Sequence, residues 1–416
     1  MPYYPLPIPA HVMEEVENEE RHEWKDEERR AKIRAEIRAL WAPINAIYDS
    51  GTPFFTKAAI GSLVQQIDEA GIHRAQTEPR SLKLSIVGID GKTVDTSLQI
   101  GVEHPLPPHW PRREDGSVLM DAMLDIDFRP IDRLTSIASA YLSEFDLGKA
   151  FLTMTVSVLP VPVRPATGEV VPDPADDPVR PASETRAVLQ QEKEKWDASA
   201  ACRELMATLQ AVADAGRLPR VDNVVAFACH RPSVVARAER VATEHALVLS
   251  IRDFFARRHS DPTTTTMVWC YAQDPLYEDV DREVLGELGM TVLDHPRGFL
   301  QVDESTAVFA LAPGVAVRQV VADIARPALM IWDKVCEIPR IGTTWVGRAE
   351  QADNISPRVE VMIKDYAELP FSSELAGFGS LLAVCFWTSC LIILLLSCLF
   401  SLVFETFPIG ALAGVV

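Results

Sequence analysis

MVWCYAQDPLY, residues Met267 to Tyr277, is the stretch on which the fold turns: an apolar run that stops at Gln273, Asp274 and Pro275, as a buried strand stops at a turn. On either side, from Val221 to Arg340, short apolar runs closed by a polar residue alternate with helix-like segments, the pattern of a parallel α/β sheet. Five strands are expected, at Asn223 to Ala228, Met267 to Tyr271, Met290 to Leu293, Thr306 to Leu311 and Ala328 to Asp333. Helices over Ser233 to Arg257, Asp279 to Leu288 and Val317 to Ile324 fill the gaps. Right-handed crossovers then predict a Rossmann-like, doubly wound sheet of order 3-2-1-4-5.

Such sheets bind ligands beyond the carboxyl ends of their strands, where strands one and four part. Cys229, His230 and Arg231 follow strand one, Gln273 and Asp274 strand two, Asp294 and His295 strand three, and Pro313 and Gly314 strand four. The candidate crevice is His230, Gln273, Asp274 and Arg318. A carboxylate closing strand two is placed to accept ribose hydroxyls, yet Asp274 before Pro275 is also suited to a helix N-cap or turn, and that structural role ranks first. The turn ACHRPS lacks the glycines that let a backbone approach a pyrophosphate, which disfavours a dinucleotide. Cys229 beside His230 is read as a packed thiol next to a surface histidine, because neighbours on a turn point apart and no acidic orienter is specified. No catalytic residue, metal ligand or cofactor is assigned.

Upstream, residues 1–38 form an extended, then charged helical arm, with Glu14 to Arg38 an exposed helix. A smaller α+β region follows over 39–160. It holds a helix at Thr56 to Ala70 capped by Thr56, and a hairpin of Leu82 to Ile89 with Lys92 to Ile100 around Asp90-Gly91. An amphipathic segment at Ile131 to Glu144 and a strand at Phe151 to Leu159 complete the region. Residues 161–182 read as a Pro-rich acidic linker, since Pro160 to Pro181 holds seven prolines and too little apolar surface to offset ordering. The α/β domain is expected over 183–345, opening with one long helix that Ser183 caps and Gly216 ends, its buried face Leu189, Trp196, Cys202, Leu205, Leu209 and Val212.

A net charge of −19 argues against nucleic acid as a partner, because such surfaces carry basic stripes. Seven cysteines without a CxxC pair fit neither a disulfide framework nor a zinc site. The opening MPYYPLPIPA has no secretory h-region, so the globular part is expected in the cytosol. After a tail segment at 346–374, Leu375 to Phe404 contains no charged residue and long apolar runs, and it reads as a C-terminal transmembrane helix of a tail anchor. A short tail, 405–416, follows. Arg358 and Lys364 precede the span, which puts the large domain on the cytosolic side of a single-pass membrane protein. The competing reading is that this tail is a gene-model artefact.

Ala272 to Val335 carries a distinctive set: QDP followed by Tyr277, the LGM turn, and APGVAVRQVVADIARPALMIWD. With these residues the chain resembles the sensitivity-to-red-light-reduced (SRR-like) domain family, specifically its fungal branch, well over Arg220 to Arg340 and more loosely from about Ser50 to SPRVEVMIKDYAELP. The resemblance implies a regulator of the kind implicated in light and circadian signalling and in control of haem synthesis, without a defined reaction. The resemblance implies a turn after strand one that commonly contains glycine, where this chain has Cys229, His230 and Arg231. A non-catalytic regulatory or scaffolding protein with protein partners is thus expected, and the alternative is an enzyme or sensor that binds a nucleotide or related metabolite in the crevice.

Overall fold

The computed structural model describes residues 27–72, 77–104, 116–135, 149–164, 167–171, 178–259, 267–333, 340–341, 344–345, 352–371, 381–386 and 392–396. Its first helix, α1, is Glu27–Asp49, and α2 is Lys57–Glu69, where the Thr56 hydroxyl accepts the Ala59 N–H at 3.1 Å as the sequence predicts. Strands β1 (Arg80–Val87) and β2 (Thr93–Ile100) form the expected hairpin, and Gly91 takes the positive φ of 78° that its turn requires. Strands β3 (Val118–Phe128) and β4 (Met154–Arg164) pair antiparallel, flanked by the two-residue strands Val102–Glu103 and Glu169–Val170. Of the segment expected at Ile131 to Glu144, Ile131–Leu134 is helical and 136–148 lie outside the described residues, as does most of the charged arm before Glu27.

The long helix expected from Ser183 is two helices, α3 (Ala182–Ala198) and α4 (Ala200–Asp214). Ser199 breaks it with ψ 155° and caps α4 by accepting the Cys202 N–H at 3.0 Å. A serine already able to cap competes with helix continuation, which is the physical reason for the break. The parallel core follows: β5 (Asn223–Phe227), helix α5 (Ala238–His259), β6 (Trp269–Gln273), α6 (Asp279–Glu287), β7 (Thr291–Leu293), β8 (Thr306–Ala310), α7 (Val317–Ile324) and β9 (Leu329–Asp333). The strands lie β7-β6-β5-β8-β9, every neighbouring pair parallel. With β5 as strand one, that is the order 3-2-1-4-5 that the alternation predicts. Helix α8 (Pro357–Ile363) starts on a Ser356 cap with proline in its first turn and leads into β10 (Tyr366–Phe371).

The transmembrane helix expected over Leu375 to Phe404 is overturned. Leu381–Phe386 is a strand, β11, antiparallel to β9, and Ile392–Leu396 is a strand, β12, between β10 and β11. Among the described residues no helix is long and apolar enough to cross a membrane. A continuous apolar run fits a buried strand as well as a buried helix, and here the free edge of β9 supplies pairing partners. The sheet grows to eight strands, β10-β12-β11-β9-β8-β5-β6-β7.

Both faces of the parallel core are covered, which is why its strands are largely apolar. Val224, Ala226, Cys270, Ala272, Ala307 and Phe309 join a core with Leu189, Trp196, Leu205 and Leu209 of α3 and α4 and with Ala242, Ala246 and Phe255 of α5. Val225, Phe227, Val308, Ala310, Met330 and Trp332 join a second core. That second core takes Ile60 and Leu63 of α2, Leu84 of β1, Phe128 of β3, Val320 of α7 and Met362 of α8. Residues from the 39–160 segment thus roof one face of the sheet.

Candidate functional site

Strands β5 and β8 lie side by side, but their following helices pack on opposite faces: Ala242 and Ala246 of α5 in the first core, Val317 and Val320 of α7 in the second. This is the topological switch point, and the chain leaves both strands in strained conformations. Ala228 and His230 after β5, and Ala312 after β8, have φ of 56°, 59° and 44°, the left-handed region that residues with a Cβ rarely enter. Strain of this kind persists where surroundings enforce it.

Asp274 holds the loop after β5 at His230. It is buried, and one carboxylate oxygen accepts the His230 N–H at 2.9 Å while the other accepts the Leu276 N–H at 2.9 Å. It is therefore the turn residue of its two alternatives rather than the helix cap, which is Glu278. The Glu278 N–H donates to Asp281 at 2.9 Å, and the other oxygen of Asp281 accepts the Ser233 N–H at 3.0 Å. Asp274 and Asp281 so tie the loop after β5 to the start of α6. Arg231 closes the same corner, 2.7 Å from Glu278 and 3.6 Å from Asp281.

Gln273 is committed in the same way. Its side-chain Oε1 accepts the Gly298 N–H at 2.6 Å, and its Nε2 lies 3.1 Å from His295 Nδ1. His295 Nε2 lies 3.0 Å from the Ile126 carbonyl of β3, so the ring donates from Nε2 and accepts from Gln273 at Nδ1. Burial drives the His295 pKa down to about 4, which keeps this neutral tautomer.

Beneath the loop sits a closed polar group. His245 Nδ1 is 2.7 Å from the Val241 carbonyl and Nε2 is 2.9 Å from the Tyr277 hydroxyl, so the ring proton is on Nδ1 and tyrosine donates to Nε2. Burial lowers the His245 pKa and raises those of Tyr277 and Cys229 well above their ordinary values. All three are neutral, and Cys229 is a buried thiol, not the thiolate that nucleophilic chemistry uses. His230 is half-buried, and burial lowers its pKa also.

The structure thus brings His230, Gln273 and Asp274 together and holds Arg318 to a different partner. Arg318 is 6% exposed at the start of α7; its N–H donates to an Asp353 carboxylate oxygen at 2.9 Å and its guanidinium reaches the Asp353 carbonyl at 3.3 Å. The same guanidinium lies 5.8 Å from the Trp332 ring centroid. Asp353 fills the position where a helix N-terminus would meet a ligand anion. Asp294 pairs with Arg282. An open hollow lined by Leu218, Pro219, Arg220, Arg258 and His259 lies beside the opposite, amino end of β5. Among the described residues no group of three or more His, Cys, Asp or Glu could hold a metal ion.

Sequence reasoning passed over Asp281, Asp353 and the His245–Tyr277 pair. EDVD at Glu278 to Asp281 has the acidic third position of a capping box and Ser356-Pro357 is a helix-start signal, so two of these regions were findable. The histidine–tyrosine contact spans 32 residues and leaves no local trace. No curated protein and no solved structure matches the chain. The family model of the SRR1 domain matches residues 205–364, from α4 through the five parallel strands to α8, and the chain therefore carries an SRR1 domain.

Proposed function

We propose that this SRR1-domain protein is a regulatory or scaffolding protein that acts through binding rather than through a reaction. The observation that supports the reading is Asp274: both of its oxygens are committed to backbone N–H groups of the protein itself, at 2.9 Å each. Gln273 and Arg318 are engaged likewise, with Gly298 and Asp353. Side chains at the switch point shape loops that a partner can read, in keeping with the regulators that the family resemblance implies.

The test is a pair of substitutions. Asp274→Ala lowers stability by roughly 0.5–2 kcal/mol, the usual cost of a lost carboxylate–backbone turn, and Asp274→Asn restores most of it because an amide oxygen still accepts. Melting temperature and cellular phenotype then move together. If Asp274→Asn regains stability but not phenotype, the carboxylate serves ligand chemistry and the reading fails.

A second reading, a metabolite sensor, draws support from the left-handed residues on both loops of the switch point, Ala228, His230 and Ala312. A thermal-shift screen of the full chain against nucleotides, S-adenosylmethionine and tetrapyrroles tests it, because a ligand of the native state raises the melting temperature by mass action.

A further inference from the structure

The loop between β5 and α5 holds three non-glycine residues with positive φ: Ala228 at 56°, His230 at 59° and Arg237 at 59°. Such a loop stays in place when contacts outside it hold it there. Asp274 and Asp281 hold it from within, as described above. From outside it is held by residues 178–180, the end of the segment that the sequence presents as a Pro-rich linker.

The attachment is specific. Arg180 donates its N–H to the Ser233 carbonyl at 2.7 Å, and Val235 donates its N–H to the Pro178 carbonyl at 3.0 Å. Val179 and Val234 face each other between these two bonds as an antiparallel bridge. The Arg180 guanidinium then donates to the Val234 carbonyl at 2.8 Å and to the Val235 carbonyl at 3.4 Å. Pro181 follows and starts α3, whose Thr185 N–H returns to the Pro181 carbonyl at 3.0 Å, so the segment is anchored at one end.

Underneath lie Cys229, Ser233 and His245, each 0% exposed, with Asp281 also at 0%. The Ser233 hydroxyl is buried there without a hydrogen-bond partner, an unfavourable arrangement that contact with water or a polar ligand would relieve. A strained loop, an unpaired hydroxyl and a buried polar group all favour opening, and the strap opposes it.

We propose that residues 178–180 form a latch over the switch point: release of the strap lets the loop from Ala228 to Arg237 lift and admits solvent and ligands to Cys229, Ser233, His245 and Tyr277. Arg180 is the catch, because its half-buried side chain grips the loop at two carbonyls beside the exposed Pro178 and Val179, where a partner can reach the strap. The latch makes access to the SRR1 domain's strand-one crevice depend on a segment outside the family-matched residues 205–364.

Thiol labelling of the full chain reads the latch directly. N-ethylmaleimide modification is followed by peptide mass spectrometry at Cys229, with Cys270, 2% exposed in β6, as the internal reference. Arg180→Ala removes two donated bonds and accelerates Cys229 labelling by about tenfold, the shift in open population expected from one to two ordinary hydrogen bonds, while Cys270 is unchanged. Arg180→Lys, with one compact donor, gives an intermediate rate. Val179→Cys with Val234→Cys places a disulfide at the non-hydrogen-bonded pair, where the backbones come closest; once oxidised it slows Cys229 labelling below the wild-type rate, and reduction restores it. Unchanged Cys229 labelling in Arg180→Ala, equal acceleration at Cys229 and Cys270, or no slowing in the oxidised double variant each overturns the latch.

Discussion

Arg358→Ala is the sharpest test of how the residues before the SRR1 domain are bound to it. The Arg358 guanidinium donates to Asp323 at 2.8 Å, to the Tyr48 carbonyl at 2.6 Å and to the Thr52 carbonyl at 2.8 Å. It also lies 4.0 Å from the Tyr48 ring centroid and 5.2 Å from that of Phe54. Breaking a fully buried ion pair costs about 3–5 kcal/mol, this pair is only partly buried, and a stacked cation adds about 0.5–2 kcal/mol. Asp323 keeps the N–H groups of Phe54 and Phe55, at 2.8 and 3.1 Å, so it is not left bare when the arginine goes. The expected loss is therefore about 2–3 kcal/mol, at or below the lower end of the buried-pair range. Urea unfolding of the full chain measures it. Arg358→Lys recovers less than half of the loss, because a compact ammonium cannot reach a carboxylate and two carbonyls in different directions. A cost below about 1 kcal/mol for alanine, the level of a surface pair, or full recovery with lysine, refutes the clamp.

Gly298→Ala places a Cβ 2.8 Å from Gln273 Oε1 and 3.0 Å from a Phe227 ring carbon, so it is expected to cost about 1–3 kcal/mol in denaturant unfolding. Stability should also fall on the acid side. The His295 pKa is about 4 in the fold, below the value near 6.5 of an unfolded chain, so unfolding takes up a proton between those values. The contribution of His295 is complete above about pH 6.5 and is lost as pH falls toward about 4; burial of His230 and His245 acts in the same sense. Melting temperatures across that window should fall for the wild type and fall less for His295→Gln; a flat wild-type profile would count against the buried neutral ring.

What the sequence discloses follows the range of the interactions. The five parallel strands and their order could be read because β-strands buried on both faces are largely apolar and their turns are polar. The Thr56 cap and the Asp90-Gly91 hairpin are encoded within a few residues of themselves. Arg318 was readable as a cation near strand four, but its partner, Asp353, is 35 residues away. The contacts that fix Gln273 and His295 reach across 25 and 169 residues, to Gly298 and Ile126. The apolar run after Leu375 illustrates the opposite limit: composition alone is the same for a helix in lipid and for strands that extend a sheet.

The shared core also orders events during synthesis. Ile60, Leu63, Leu84 and Phe128 leave the ribosome well before Phe299, Val320 and Met362, the residues against which they are buried. Until about residue 360 has emerged, Asp323 has no Arg358 and the early segment has no complete face to settle on. The nascent chain must carry that apolar surface uncovered through most of its translation, a window in which chaperones guard against aggregation. A ribosome stalled before α8 would therefore hold not a finished first domain but half of a core.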